Sequence, residues 1–246
     1  MTNAQESALP LRLEMAHVLF VDIVAYSTLH MDRQQQLLDK LQDALRRTPA
    51  FARAEAEDQL IRLPTGDGVA LVFFRDPEGP LLCALELAKS LLENSNIKLR
   101  MGIHSGPVYR VADINANQNV AGGGINMAQR VMDCGDAGHI LVSSVEADVL
   151  SQVSSWCASL HDLGDVEVKH GVRIHIYNLY TAEVGSSETP KKVTAQRTEL
   201  ALATANAKRQ KRTRLVMAAV PILLSLASVT LWLFYSHRAQ ISLFAA

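Results

Sequence analysis

An uncharged, apolar run near the end of the chain, LVMAAVPILLSLASVTLWLFY (215–235), restricts the possible structures more than any other part of the sequence. As a helix rising about 1.5 Å per residue, it is long enough to cross the roughly 30 Å hydrocarbon core of a bilayer. The alternative is a buried core helix, but apolar segments of that kind are usually shorter. We therefore predict a transmembrane helix over 214–236, with Trp232 and Tyr235 towards one interface.

The charges on either side of this run predict its orientation. The basic segment KRQKRTR (208–214) precedes it, whereas His237 and Arg238 are the only candidate cations after it. Because basic flanks stay on the cytoplasmic side, we expect a single-pass protein of a bacterial-type inner or plasma membrane. Residues 1–214 would lie in the cytoplasm, and a short tail, 237–246, would lie across the membrane.

The overall charge argues against one class of partner. The sequence has 24 basic and 25 acidic residues and a net charge of -1, whereas a general nucleic-acid binder is strongly basic. We therefore expect no nucleic-acid partner. The three cysteines, Cys83, Cys134 and Cys157, have no CxxC or other metal-site spacing, and we expect buried thiols in a reducing compartment.

The sequence before residue 183 alternates between strand and helix patterns. HVLFVDIVAYS (17–27) is a buried-strand run, leucines at helical spacing follow in QQQLLDKLQDAL, and QLIRL and VALVFF predict a hairpin. The remaining patterns predict, in order, a helix over 80–92, the strand IKLRMGIHSGPVYRV, a helix from about Ile125, the strand HILVSS, a short helix and the strand VRIHIYNLY. This mixture predicts an α/β (α+β) sandwich built on a mixed sheet.

Two aspartates in these strand regions are candidates for metal binding. Asp22 interrupts an apolar strand run, where an ionised carboxylate is costly to bury unless a cation compensates it. Asp67 lies between two glycines in the turn LPTGDG. If the two converge they would suit Mg²⁺, which takes one or two carboxylates plus substrate phosphates. The simpler alternatives are a turn residue for Asp67 and a lysine partner for Asp22.

The segment GGGINMAQR (122–130) combines a glycine run with two polar side chains at helical spacing. Asn126 and Arg130 are four residues apart, so a helix places both on one face. The preceding glycines would let the backbone come close to a ligand at the helix N-terminus. The alternative is a surface arginine with an asparagine that resembles an N-cap.

Four motifs, FVDIVAYS, TGDG, RMGIHSGPV and GGGINMAQR, stand in this order in the chain and together resemble the catalytic domain of class III adenylate/guanylate cyclases. The resemblance covers roughly residues 14–182. It implies a ferredoxin-like, palm-like core with a mixed sheet. The chain would then consist of an N-terminal extension (1–13), the catalytic domain (14–182), a polar and basic linker (183–213), the transmembrane helix and the tail.

The resemblance also implies a role for individual residues in catalysis. Asp22, Asp67 and the backbone carbonyl of Ile23 would hold two Mg²⁺ or Mn²⁺ ions per site, as in two-metal catalysis. The 3′-oxygen of a nucleoside triphosphate would attack the α-phosphorus in line, and pyrophosphate would leave. Arg130 would stabilise the charge of the transition state, and Asn126 would orient the ribose.

Four further positions are assigned to substrate binding by the same resemblance. Arg100 matches a phosphate-binding arginine, and Lys169 falls where the family carries a lysine for the terminal phosphate, although a solvated loop lysine is its simpler interpretation. Leu63 and Asn119 occupy the positions at which adenine-specific members carry lysine and aspartate. Guanine-specific members usually have an acid at the first of these positions, which Leu63 does not match either. The resemblance therefore does not decide which base is recognised. Neighbours such as Arg62 or Asn117 could add contacts to it.

In this family one subunit supplies the metal-binding aspartates and the other supplies the asparagine and arginine. This chain contains both sets, so the resemblance implies a homodimer with two composite sites. We predict a membrane-anchored cyclase that converts a nucleoside triphosphate to a 3′,5′-cyclic nucleotide. ATP is the favoured substrate, because adenylate cyclases are prevalent in this family. The alternatives are a cyclase for GTP or a pyrimidine nucleotide, or a non-catalytic nucleotide-binding or dimerisation module.

Overall fold

The computed structural model describes residues 13–94, 97–112, 118–153, 155–211, 217 and 228–229. The chain divides into two compact units, 1–194 and 195–246. The strands of the first unit are β1 (Leu13–Ile23), β2 (Leu60–Pro64), β3 (Gly68–Phe73), β4 (Leu99–Ala112), β5 (Gln118–Ala121), β6 (Ile140–Ser143), β7 (Leu160–Val168) and β8 (Val172–Leu179). Its helices are α1 (Met31–Arg46), α2 (Pro49–Ala56), α3 (Gly79–Asn94), α4 (Gly123–Met132) and α5 (Ser144–Leu150).

The strands form one mixed sheet in the order β2-β3-β1-β4-β6-β8-β7, with β5 paired to β4. The β4–β6 pair is parallel and the other pairs are antiparallel. The predicted mixed sheet is therefore confirmed. Strands β1 and β4, which carry Asp22 and Arg100, lie side by side in the middle of the sheet.

Alternation along β1 divides the core between the two faces of the sheet. Leu19, Val21 and Ile23 pack with the leucines of α1 and with α3 on one face, whereas Val18 and Phe20 pack on the other face with α4. Successive strand residues point to opposite faces, so Asp22 lies on the α4 face. Each fully buried aliphatic or aromatic side chain contributes roughly 1.5–3 kcal/mol.

Helix α4 lies unusually close to β4 because the strand has a glycine beneath the helix. A Cβ at Gly102 would stand 2.3 Å from the backbone nitrogen of Met132 and 2.6 Å from the carbonyl oxygen of Ala128. Any side chain there would push the helix off the sheet. Gly102 thus fixes the height of α4, and with it Asn126 and Arg130, above the strand that carries Arg100.

Several elements differ from the predicted ones. Strand β1 covers 13–23 rather than 17–27, because the chain turns after Val24, whose N–H bonds to the Lys98 carbonyl, and Ala25 takes a left-handed φ of 62°. Helix α2 and strands β5 and β7 were not predicted. Residues 191–211 of the predicted linker are helical.

The cysteine prediction is partly wrong. Cys83 and Cys134 are buried free thiols, as predicted, but Cys157 is a free and exposed thiol. It lies in the irregular segment between α5 and β7, where the chain buries few side chains.

In the second unit, residues 195–211 are helical. Among the described residues, no helix combines the length and apolar character that a membrane crossing requires. Apart from Met217 and residues 228–229, the predicted transmembrane helix (214–236) and the tail (237–246) lie outside the described residues. The predicted N-terminal extension does so too, except for Leu13.

Candidate active site

Asp22 and Asp67 are brought together where β1 ends beside the β2–β3 turn. Asp22 is only 4% exposed and pairs in register with Gly68 on β3. A Cβ at Gly68 would stand 2.0 Å from the carbonyl oxygen of Val21, so only glycine allows this approach. The N–H of Ile23 donates to the Asp67 carbonyl at 3.0 Å. The turn glycines therefore hold the exposed Asp67 beside the buried Asp22.

The surroundings of Asp22 favour a bound cation. Burial raises the pKa of Asp22 to about 6; Arg100 opposes this rise, and the nearby Asp67 carboxylate adds to it. The two carboxylates, with the Ile23 carbonyl as the further ligand that the resemblance implies, are hard oxygen donors of the kind that suits Mg²⁺ or Mn²⁺. Among the described residues no three His, Cys, Asp or Glu side chains could hold a metal ion together, so phosphates and water would have to complete the coordination.

Arg100 joins the acid of β1 to a second acid at the end of α4. Its Nε donates to Oδ2 of Asp22 at 2.6 Å, and its Nη1 lies 3.5 Å from Oδ1 of Asp133. Lys169, in the short 3-10 turn Lys169–Gly171 between β7 and β8, places Nζ 3.5 Å from the other oxygen of Asp133. The structure thus brings the two predicted phosphate ligands to one carboxylate.

The outer face of α4 carries Asn126 and Arg130, as their spacing predicts. Asn126 is exposed and Arg130 is half-buried. Within the part of the chain that the structure describes, no ion pair or side-chain hydrogen bond joins either residue to Asp22 or Asp67. The structure therefore does not join the two halves of the predicted site within one chain.

The glycine run at the start of α4 (122–124) serves packing as well as any ligand. A Cβ at Gly122 would stand 2.8 Å from the Pro107 carbonyl oxygen, and one at Gly124 would stand 3.0 Å from the backbone of Gly106. Only Gly123 has open space around its Cβ position. The approach that these glycines permit is thus largely between the helix and β4.

The predicted base-reading residues lie on β2 and β5, which contact each other. Leu63 packs against the core on the α4 face, and the Oδ1 of Asn119 accepts a hydrogen bond from the N–H of Val120 at 2.7 Å. Arg62 points to the opposite face, where it pairs with Glu55 at 3.1 Å, so it does not add a contact beside Leu63. Asn117 lies outside the described residues.

Two further features have no signal in the sequence: Asp133, and a polar cluster on the face of the sheet that packs against α1 and α3. There, His17 Nδ1 lies 2.5 Å from Ser105 Oγ and 3.2 Å from Glu146 Oε2, and Ser105 also donates to Glu146. Glu146 is fully buried. No local pattern indicates these contacts, because their partners are far apart in the sequence.

Comparison with known proteins agrees with the fold. Residues 81–181 match the family described as the adenylate and guanylate cyclase catalytic domain. No curated protein matches the sequence. Three solved structures with similar folds are a P. aeruginosa adenylyl cyclase, a Catenaria anguillulae guanylate cyclase domain and a Silicibacter pomeroyi adenylate/guanylate cyclase/hydrolase.

The P. aeruginosa adenylyl cyclase, CyaB, has a TM-score of 0.57 at 17% identity, covering 72% of this chain and 100% of the other. The C. anguillulae domain, from RhGC and solved with GTP, has a TM-score of 0.57 at 19% identity, covering 71% of this chain and 100% of the other. The S. pomeroyi protein has a TM-score of 0.53 at 24% identity, covering 69% of this chain and 98% of the other. The first unit therefore has the fold of class III nucleotide cyclase catalytic domains, and residues 81–181 carry the sequence signature of that family.

Proposed function

We propose that this protein is a nucleotide cyclase that converts a nucleoside triphosphate, with ATP as the favoured substrate, to a 3′,5′-cyclic nucleotide and pyrophosphate. One observation carries the proposal: a buried aspartate at the end of a central strand lies beside a second aspartate held in place by glycine, within a cyclase fold. A buried acid with a raised pKa in such a position is costly to maintain. Residues whose pKa values are shifted by burial in this way are concentrated at functional sites.

The residues fit the chemistry of phosphoryl transfer. Asp22, Asp67 and the Ile23 carbonyl would hold Mg²⁺ or Mn²⁺, which lowers the pKa of the substrate's 3′-hydroxyl and neutralises phosphate charge. Arg100 and Lys169 would bind the phosphates that leave as pyrophosphate. Arg130 would place a cation against the α-phosphoryl oxygens, and Asn126 would orient the ribose, so that catalysis rests on positioning and charge.

A homodimer with composite sites is part of the proposal. Within the described residues, neither Asn126 nor Arg130 makes an ion pair or side-chain hydrogen bond with Asp22 or Asp67 of the same chain, and Arg130 makes no ion pair at all. A cation without an ion-pair partner on an exposed helix face is available to a second subunit. In a two-fold dimer each chain would offer its aspartates to one site and its α4 residues to the other.

The preference for ATP rests on the prevalence of adenylate cyclases in the family rather than on the pocket. The Leu63 side chain offers no hydrogen bond, and the side-chain oxygen of Asn119 already accepts one from the Val120 N–H. GTP remains the second candidate substrate. We expect only modest discrimination, because an apolar contact rejects a mismatched base weakly.

Membrane anchoring also belongs to the proposal. The apolar run 215–235 and the preceding basic segment support a single-pass helix, with the catalytic domain on the cytoplasmic side of an inner or plasma membrane. Fractionating cells that express the chain, with protease digestion of spheroplasts, tests this assignment.

The activity is tested by incubating the purified full chain with each of the four ribonucleoside triphosphates and Mg²⁺ or Mn²⁺, then separating the products by chromatography. We expect a cyclic product, and none from Asp67→Asn. Asp43→Asn, which removes an exposed acid paired with Arg46 at 3.3 Å, is the matched control and should stay active. A folded, dimeric protein that makes no cyclic product would leave the non-catalytic nucleotide-binding module as the better interpretation.

A further inference from the structure

Asp133 lies between two cations that come from distant parts of the chain. It is the C-cap residue of α4, and its side chain is 22% exposed. One carboxylate oxygen lies 3.5 Å from the Arg100 guanidinium at the start of β4, and the other lies 3.5 Å from the Lys169 ammonium in the β7–β8 turn. Each oxygen therefore faces one positive charge.

The Asp133 carboxylate belongs to a row of side chains whose charges alternate in sign. Arg100 is bonded to Asp22 through Nε and faces Asp133 through Nη1. Lys169, whose side chain is 72% exposed, completes the row. Both cations that would bind phosphates are thus partly neutralised before any substrate arrives.

A polyphosphate that approaches Arg100 and Lys169 must compete with this carboxylate. The contacts at 3.5 Å are ion pairs that are longer than good hydrogen bonds, and Lys169 can swing away from an exposed position. We propose that Asp133 is a positioning residue that holds Arg100 and Lys169 in the nucleotide-free protein and thereby lowers its affinity for polyphosphate. This inference rests on the proposed function, because that function assigns the two cations to phosphates.

The proposal predicts the effect of removing the charge while keeping the shape. Asp133→Asn should tighten binding of inorganic pyrophosphate, measured by titration calorimetry on the full chain with Mg²⁺, about tenfold, or about 1.4 kcal/mol. Asp133→Glu keeps the carboxylate and should stay within about threefold of the wild type. In the Lys169→Gln background, Asp133→Asn should have a clearly smaller effect, because one of its two cations is gone.

Kinetics separate this role from a purely structural one. Asp133→Asn should lower KM for the nucleoside triphosphate and leave kcat nearly unchanged, because it removes a competitor of ground-state binding. Asp43→Asn, which removes a surface acid that pairs with Arg46, should change neither pyrophosphate binding nor KM. If Asp133→Asn does not yield folded protein, Asp133→Ser makes the same test.

Weaker or unchanged pyrophosphate binding in folded Asp133→Asn would overturn the inference, even if the protein proves to be a cyclase. Tighter binding in a protein that forms no cyclic product would overturn the proposed function and retain the inference about Asp133. The two failures are therefore distinguishable.

Discussion

Arg100 donates from Nε to Oδ2 of Asp22 across 2.6 Å, so a candidate phosphate ligand and a candidate metal ligand are partners in the same chain. The two residues lie directly opposite each other in the β1–β4 register. A divalent ion at Asp22 and the guanidinium of Arg100 would share or compete for the same carboxylate. In the proposed site, metal binding and phosphate binding would therefore be coupled through this pair.

Removing Arg100 should destabilise the fold, because the buried Asp22 carboxylate then lacks its ion-pair partner. Because breaking a buried ion pair leaves the remaining charge uncompensated, and Arg100 is partly exposed, we expect Arg100→Gln to lower the free energy of unfolding by about 2 kcal/mol. Added Mg²⁺ should recover more stability in the variant than in the wild type. Urea unfolding with and without Mg²⁺ measures both effects.

Arg46→Gln provides the control for that experiment, since it breaks an exposed ion pair with Asp43. It should cost less than about 1 kcal/mol and show no enhanced response to Mg²⁺. An equal response to Mg²⁺ in Arg100→Gln and Arg46→Gln would contradict the coupling between Arg100 and a metal at Asp22.

Mixing two inactive variants tests the composite site. Asp67→Ala and Arg130→Ala should each be inactive, because each lacks one half of both sites. A heterodimer of the two contains one site with both defects and one intact site, so it should recover up to about half the activity of a wild-type dimer. If subunit exchange is demonstrated and no activity returns, the two halves of the site do not come from different subunits.

The base-reading positions can be tested by installing the residues of adenine-specific cyclases. Leu63→Lys with Asn119→Asp adds a donor and a carboxylate, and should raise the ratio of kcat/KM for ATP over GTP. Arg62→Ala, on the opposite face of the sheet, should leave this ratio unchanged. A preference of about a thousandfold in the unmodified protein, or about 4 kcal/mol, would show that recognition lies elsewhere.

His104 gives the stability a defined dependence on pH. Burial lowers its pKa from 6.5 to about 4, while Nδ1 is bonded to Ser143 Oγ at 2.8 Å. Because the folded state favours the neutral ring, its contribution is fully present above pH 6.5 and is lost as the pH falls towards 4. The loss amounts to about 3 kcal/mol.

His104→Asn should remove this part of the pH dependence. Urea unfolding at several pH values between 7 and 4 should give a steeper loss of stability for the wild type than for the variant. Parallel pH profiles for the two proteins would contradict a buried, neutral His104, since other titrating groups affect both proteins alike.

Local patterns predicted the elements that have a strong period. The apolar runs of β1 and β3 and the leucine spacing of α1 led to the observed strands and helix. Strand β7 was missed because its alternation is broken by an irregularity between Asp162 and Gly164. Helix α2 was missed because it has only 8 residues, too few to establish a helical period.

The candidate site was predictable only where a motif carries it. Asp22, Asp67, Asn126 and Arg130 stand in recognisable sequence motifs, and the structure places Asp22 and Asp67 side by side. Asp133 carries no such signal, because its contacts join the start of β4, the end of α4 and the β7–β8 turn. Contacts between distant segments depend on the whole topology, and so the charge row could be seen only in three dimensions.

The absence of a side chain at Gly102 has a consequence for how the proposed cyclase would be regulated. At Gly102 helix α4 lies directly on the backbone of β4, where an added Cβ would stand 2.3 Å from the Met132 nitrogen, so this close contact leaves little room for the helix to shift. The backbone positions of Asn126 and Arg130 are therefore tied to the sheet through α4. In the proposed dimeric cyclase, a signal that turns activity on or off would therefore have to change the way in which the two subunits meet.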